Sequence, residues 1–175
     1  LVTALGFLSI FYLYGISITT LLLIILTIFF VIIFFIDLDH FIIPNELTLP
    51  LMIIGFLKSF DPNINLSLFP NYLDSLIGGV FGYFLIWGII TLDLKIRKKE
   101  GMGLGDAKLL AAIGFWFGWY SIPYVIFLSS LSALLIALPS LINKSKSLSS
   151  QIPFGPYLIF GTVAYLVVRN YLTFI

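Results

Sequence analysis

Apolar residues run almost unbroken from Leu1 to Ile36, and the chain then divides into shorter apolar stretches separated by Pro, Asn, Gly and charged positions. The stretches cover approximately 1–14, 17–36, 46–58, 73–92, 106–119, 121–142 and 153–173. They are apolar all round, so amphipathic period cannot locate them; length and punctuation do. The first charged residue is Asp37. A single helix up to that point would be about 54 Å long, against a hydrocarbon core of about 30 Å. A break near Gly15 is therefore expected, giving two passes. Long runs without alternation exclude a β-barrel, and only helices then satisfy the backbone in lipid. The pattern predicts an all-α membrane helix bundle of about six to seven apolar helices in one domain, 1–175. Stretches 46–58 and 106–119 are short for full spans, so they are expected to be tilted, partly interfacial or extended by their loops.

Composition strengthens this picture. The chain is 61% hydrophobic and 10% charged, whereas a soluble domain is about 45–50% apolar and about 25% charged. A formal net charge of +1 gives no reason to expect a nucleic-acid partner. There is no Cys and His40 is the single His. Disulfides, Cys nucleophiles, thiolate metal sites and His-rich metal sites are all excluded, and no cofactor is expected. The first stretch is too short for a full span and begins with Leu, so a chain truncated at its N-terminus is expected. No basic residue precedes it, which argues against a secretory signal.

The connections differ in charge. Ser59 to Tyr72 contains the turn signals Asp61-Pro62-Asn63 and Pro70-Asn71, and no Lys or Arg. Asp93 to Gly105 carries Lys95, Arg97, Lys98 and Lys99, and Ile142 to Gln151 carries Lys144 and Lys146. The positive-inside rule places the two basic loops in the cytoplasm. Threaded on that basis, 17–36 runs inward, 73–92 and 121–142 return inward, and 46–58, 106–119 and 153–173 run outward. Asp37 and Asp106 then fall on the same membrane face, although neither was used in the threading. Lys58 and Arg169 are the exceptions to the charge rule, and both are expected to snorkel from helix ends.

Asp37 closes the run Phe34-Phe35-Ile36, where the helix dipole disfavours a carboxylate. Its bland reading is a helix end meeting water, with Asp39 and His40 continuing the same polar loop. Asp106 has its own bland reading as an N-cap to Ala107-Lys108-Leu109-Leu110. Capping does not explain Gly101, Gly103 and Gly105 at alternate positions before it. A glycine hinge beside an acid suits a cleft that admits a peptide backbone; an ordinary flexible loop is the alternative. The pattern is neither a dinucleotide fingerprint nor a phosphate loop. Asp74 reads as an N-cap, Glu46 as a favourable charge opening a helix, and Asp93 and Asp61 as solvated. Lys108 reads as interfacial and facing water. Gly78, Gly79, Gly82 and Gly114 are expected to pack the protein's own helices together.

The segments Asp37-Leu38-Asp39-His40-Phe41-Ile42-Ile43-Pro44-Asn45, Glu100 to Leu110 with its Gly-x-Gly-Asp core, Asp74 to Gly79, and Ile152-Pro153-Phe154-Gly155-Pro156-Tyr157 together resemble the motifs of type IV prepilin peptidases. The resemblance extends over nearly the whole chain from about residue 30. It selects Asp37 over Asp39, because Asp37 has the seven-residue spacing to Pro44. It implies a membrane aspartic endopeptidase with Asp37 and Asp106 as catalytic residues. The implied substrates are type IV prepilins or pseudopilins, cut at the cytoplasmic face of the inner membrane. Bacterial members often add a region with two Cys-x-x-Cys pairs, linked to zinc and N-methylation. This chain has no Cys, so methylation is not assigned to it. A transporter or channel using interfacial carboxylates, and an inactive remnant of the peptidase, stand as the alternatives.

Overall fold

Gly15 breaks the first apolar run by adopting a φ of 60°, a conformation that glycine reaches without penalty. In the computed structural model, which describes residues 2–61, 64, 68–97, 103–142 and 153–173, helix α1 (Val2–Tyr14) ends there and α2 (Ile18–His40) begins after Ser17. The Ser17 hydroxyl caps α2 by accepting the Thr20 N–H at 3.2 Å. The remaining helices are α3 (Asn45–Leu57), α4 (Tyr72–Arg97), α5 (Leu104–Phe117), α6 (Ser121–Ile142) and α7 (Gly155–Thr173), with a 3-10 turn at Lys58–Phe60. The described residues contain no strand. By length and composition α2 and α4 suffice to cross a membrane, and the molecule is an all-α membrane helix bundle. Lys98 to Met102 and Lys144 to Ile152, with the basic residues and Gly101 noted above, lie outside the described residues.

Helix α5 is the axis of the bundle. Residues Ala107, Leu109, Leu110, Ala112, Ile113, Trp116 and Phe117 are all buried, and α3, α4, α6 and α7 each pack against it. Its closest neighbour is α4, which runs antiparallel. A Cβ on Gly78 would lie 2.5 Å from the Gly114 carbonyl oxygen, and one on Gly82 would lie 2.8 Å from that of Leu110. Those glycines therefore pack the protein's own helices, as expected. Continuing this register by one turn brings Ile86 level with Asp106. Helix α4 then continues to Arg97, about 16 Å further at 1.5 Å per residue.

Four expectations need correction. Helix α4 does not stop near Leu92 but carries Lys95 and Arg97 inside it, because nothing between Leu92 and Arg97 breaks a helix. Asp74 is not an N-cap: Asn71 Oδ1 accepts the Asp74 N–H at 2.9 Å, so Asn71 caps and Asp74 stands in the first turn. Lys58 does not snorkel. It is 6% exposed, donates to the Trp116 carbonyl at 2.8 Å, and lies 3.9 Å from the Phe69 ring centroid. It satisfies a carbonyl at the C-terminal end of α5, where the dipole favours a cation. Arg169 likewise turns inward, donating to the Leu68 carbonyl at 3.1 Å and the Tyr165 hydroxyl at 3.2 Å.

The Gly78–Gly114 contact leaves no room for a side chain. Gly78→Ala is expected to destabilise the bundle by about 1–3 kcal/mol or more, as overpacking does. Thermal unfolding in detergent checks this, and an unchanged transition would show that the two helices separate freely.

Candidate active site

Asp37 lies within α2 rather than beyond it, one turn before the helix ends at His40. Phe41 then takes a left-handed conformation, φ 58°, and its N–H bonds the Asp37 carbonyl at 3.0 Å. That turn folds Ile42-Ile43-Pro44 back toward the bundle and starts α3. Asp37 is only 4% exposed, whereas Asp39 and His40 are exposed. Burial thus separates the two acids in the same sense as the spacing to Pro44 did.

Asp106 is 7% exposed and sits at the third position of α5, with Gly103 as the N-cap. This corrects the N-cap expectation. The carboxylate reaches back and accepts the Gly103 N–H at 3.1 Å, as an acid in a capping box does. Of the glycines before it, Gly103 and Gly105 lie at the start of the helix. Gly103 has φ −90°, which any residue adopts. Gly105 is required by packing, because a Cβ there would lie 2.9 Å from Ile43 Cβ.

The partner of Asp37 comes from the far end of the chain. The Gly155 N–H, at the first residue of α7, donates to Asp37 Oδ2 at 2.9 Å. A Cβ on Gly155 would lie 2.7 Å from that oxygen and 3.0 Å from Ile43 Cδ1. Ile43 therefore wedges beside both acids, touching the glycine that precedes Asp106 and the glycine that holds Asp37. The two carboxylates interact electrostatically. They stand at one end of the bundle, as the threading required.

The role of Gly155 was not readable in advance. Its segment resembles a family motif, but a backbone donor leaves no signature in side-chain type; Gly between Pro153 and Pro156 is the available hint. Lys108, in an exposed setting, donates from its Nζ to Asn45 Oδ1 at 2.6 Å. Among the described residues no three His, Cys, Asp or Glu gather to hold a metal ion.

The described residues thus form a membrane helix bundle that buries two carboxylates at one end, each accepting one backbone N–H. Residues 24–138 match the model of the type IV leader peptidase family, and the chain belongs to that family. It is 40% identical over 144 residues to the prepilin leader peptidase/N-methyltransferase of Pseudomonas aeruginosa, covering 79% of this chain and 48% of that protein. It is 41% identical over 144 residues to the protein of that name from Aeromonas hydrophila, with the same coverage. The Legionella pneumophila protein of that name is 36% identical over 152 residues, 86% of this chain and 51% of that one. The chain thus spans about half the length of the curated relatives it matches. No solved structure matches it.

Gly155 lies beyond the residues that the family model matches, so its contact with Asp37 is a separate test of the site. Gly155→Ala is expected to press on the Asp37 carboxylate and on Ile43 and to destabilise the junction of α2 and α7 by about 1–3 kcal/mol, as overpacking does. Thermal unfolding in detergent checks this; an unchanged transition would mean that α7 is not held tightly against Asp37.

Proposed function

We propose that this chain is an aspartic endopeptidase that removes the basic leader from type IV prepilins or pseudopilins, with Asp37 and Asp106 as its catalytic pair. The observation that carries this reading is the burial of both carboxylates at one end of the bundle, each with one backbone donor. Family membership adds the reaction class. The relatives' printed name adds the substrate.

Two buried carboxylates facing one site share one proton more readily than they lose both. The ionised member accepts a proton from water as that water attacks the scissile carbonyl. The protonated member hydrogen-bonds the developing oxyanion, and a proton passes to the leaving amine as the C–N bond breaks. The pair titrates as a unit, so neither Asp is assigned a separate acid or base role. The N-terminal ends of α5 and α7 offset the remaining negative charge.

Orientation follows from charge. Lys95 and Arg97 lie at the end of α4 nearest the pair, and in the sequence Lys98 and Lys99 follow α4 while Lys144 and Lys146 follow α6. This supports a site opening toward the cytoplasm of the inner membrane, where a basic leader would lie. The substrate's apolar helix would remain in the bilayer. A transporter or channel would be expected to distribute its acids through the depth of the membrane; here the buried pair sits at one end.

Two outcomes test the reading. Asp37→Asn and Asp106→Asn are each expected to lower leader cleavage by about 10²–10⁴-fold, the usual weight of acid–base groups. Cleavage that persists in both variants would eliminate the pair as catalyst. The rate is also expected to be bell-shaped in pH: it falls in acid as the second carboxyl takes up a proton, and falls in base as the shared proton is lost. A rate rising steadily across that range would exclude a shared-proton pair.

A further inference from the structure

Helices α2 and α5 carry the two acids, yet among the described residues no Cα of one comes within 8 Å of a Cα of the other. The alignment of the pair must then be set by what bridges the helices. One route runs through α7, whose Gly155 N–H holds Asp37 and whose body packs on α5. A second runs through Ile43, which abuts Gly105. A van der Waals contact of that kind resists approach much more than separation.

The third route is direct. Asn45 is the first residue of α3, and four residues of turn join it to the end of α2. Lys108 follows Asp106 by two positions, so it leaves α5 on a different side, toward α3. The Lys108 ammonium donates to Asn45 Oδ1 at 2.6 Å. It is the one side-chain hydrogen bond among the described residues that ties the Asp37-to-Asn45 segment to the first turns of α5.

We propose that Lys108 and Asn45 form a clamp that sets the spacing of Asp37 and Asp106, Lys108 acting as a positioning residue and not as a ligand for substrate. The clamp rests on the peptidase reading above. The bond lies in an exposed setting, so its loss costs the fold little, whereas the spacing of two reacting groups is sensitive to displacements near 1 Å. This separates the clamp from Lys58, which is buried at the other end of α5 and whose removal disturbs packing.

The test uses the chain as it is, in detergent or vesicles. Lys108→Met and Asn45→Ala are each expected to lower kcat by about 10–100-fold, with KM and melting temperature unchanged. The double variant is expected to be no worse than the more impaired single one. A rise in KM with kcat intact, or losses that multiply in the double variant, would overturn the clamp, because Lys108 would then act on substrate or independently of Asn45. A second readout needs no catalysis. The sequence has no Cys, so a chain carrying Asp37→Cys and Asp106→Cys has only those two thiols. A short bifunctional thiol reagent is expected to bridge them, with a yield that falls when Lys108→Met is added. An unchanged yield would overturn the clamp. A wild-type chain that cleaves nothing would instead count against the peptidase reading, and the bridging yield would still decide the clamp.

Discussion

Three helix ends meet at Asp37 and Asp106, and the rest of the architecture follows from the cost of putting two carboxylates there. An ionised carboxylate in apolar surroundings is tolerable only when hydrogen-bonded. A helix N-terminus offers N–H groups that have no partner within the helix. The chain supplies two such ends: α5 gives the Gly103 N–H to Asp106, and α7 gives the Gly155 N–H to Asp37. Both dipoles favour negative charge at this point. The C-terminal end of α2 opposes them, since its own dipole disfavours Asp37. The α7 contact is therefore the counterweight that allows an acid inside the last turn of α2.

Such a meeting of ends requires α5 to be fixed along its axis. Small residues let α4 approach it closely, through Gly78, Gly82 and Gly114. At the opposite end the Trp116 indole donates to the Leu51 carbonyl at 2.8 Å, and the Ser75 hydroxyl donates to the Phe115 carbonyl at 2.7 Å. Lys58 holds the Trp116 carbonyl beside them. The Ser75 and Lys58 bonds satisfy carbonyls that the end of α5 leaves open, and they come from α4 and the 3-10 turn, while the Trp116 indole ties α5 to the middle of α3. The polar groups at one end of α5 hold it, and those at the other end are held by it.

Much of this was legible in the chain. Apolar length set the helices, Gly15 set the first break, and the charge of the loops put Asp37 and Asp106 on one face. What stayed hidden depends on partners distant in sequence. Lys58 was read as snorkelling because a lone Lys after an apolar run has no visible partner, whereas its acceptor is a backbone carbonyl in α5. Asp106 reads as an N-cap because Asp is a favoured cap and Ala107-Lys108-Leu109-Leu110 a good helix start, whereas the helix begins two residues earlier, at Leu104, with Gly103 in the cap position. The need for Gly105 became intelligible only once Ile43 was seen against it. In each case the sequence specifies the residue type, and the fold decides which backbone group it meets.

The register of α4 against α5 bears on how a peptide reaches the pair. Ile86 is level with Asp106, and the first basic residue of α4, Lys95, stands roughly 14 Å further along the helix axis. Between them Ile89 and Leu92 are exposed, and exposed apolar residues on a membrane helix belong against hydrocarbon. The acids thus lie deeper than the charged rim that marks the end of α4. A helical substrate would keep its backbone carbonyls bonded internally, closed to attack by water. On the peptidase reading proposed above, a substrate would bring an unwound segment below the level of the basic rim.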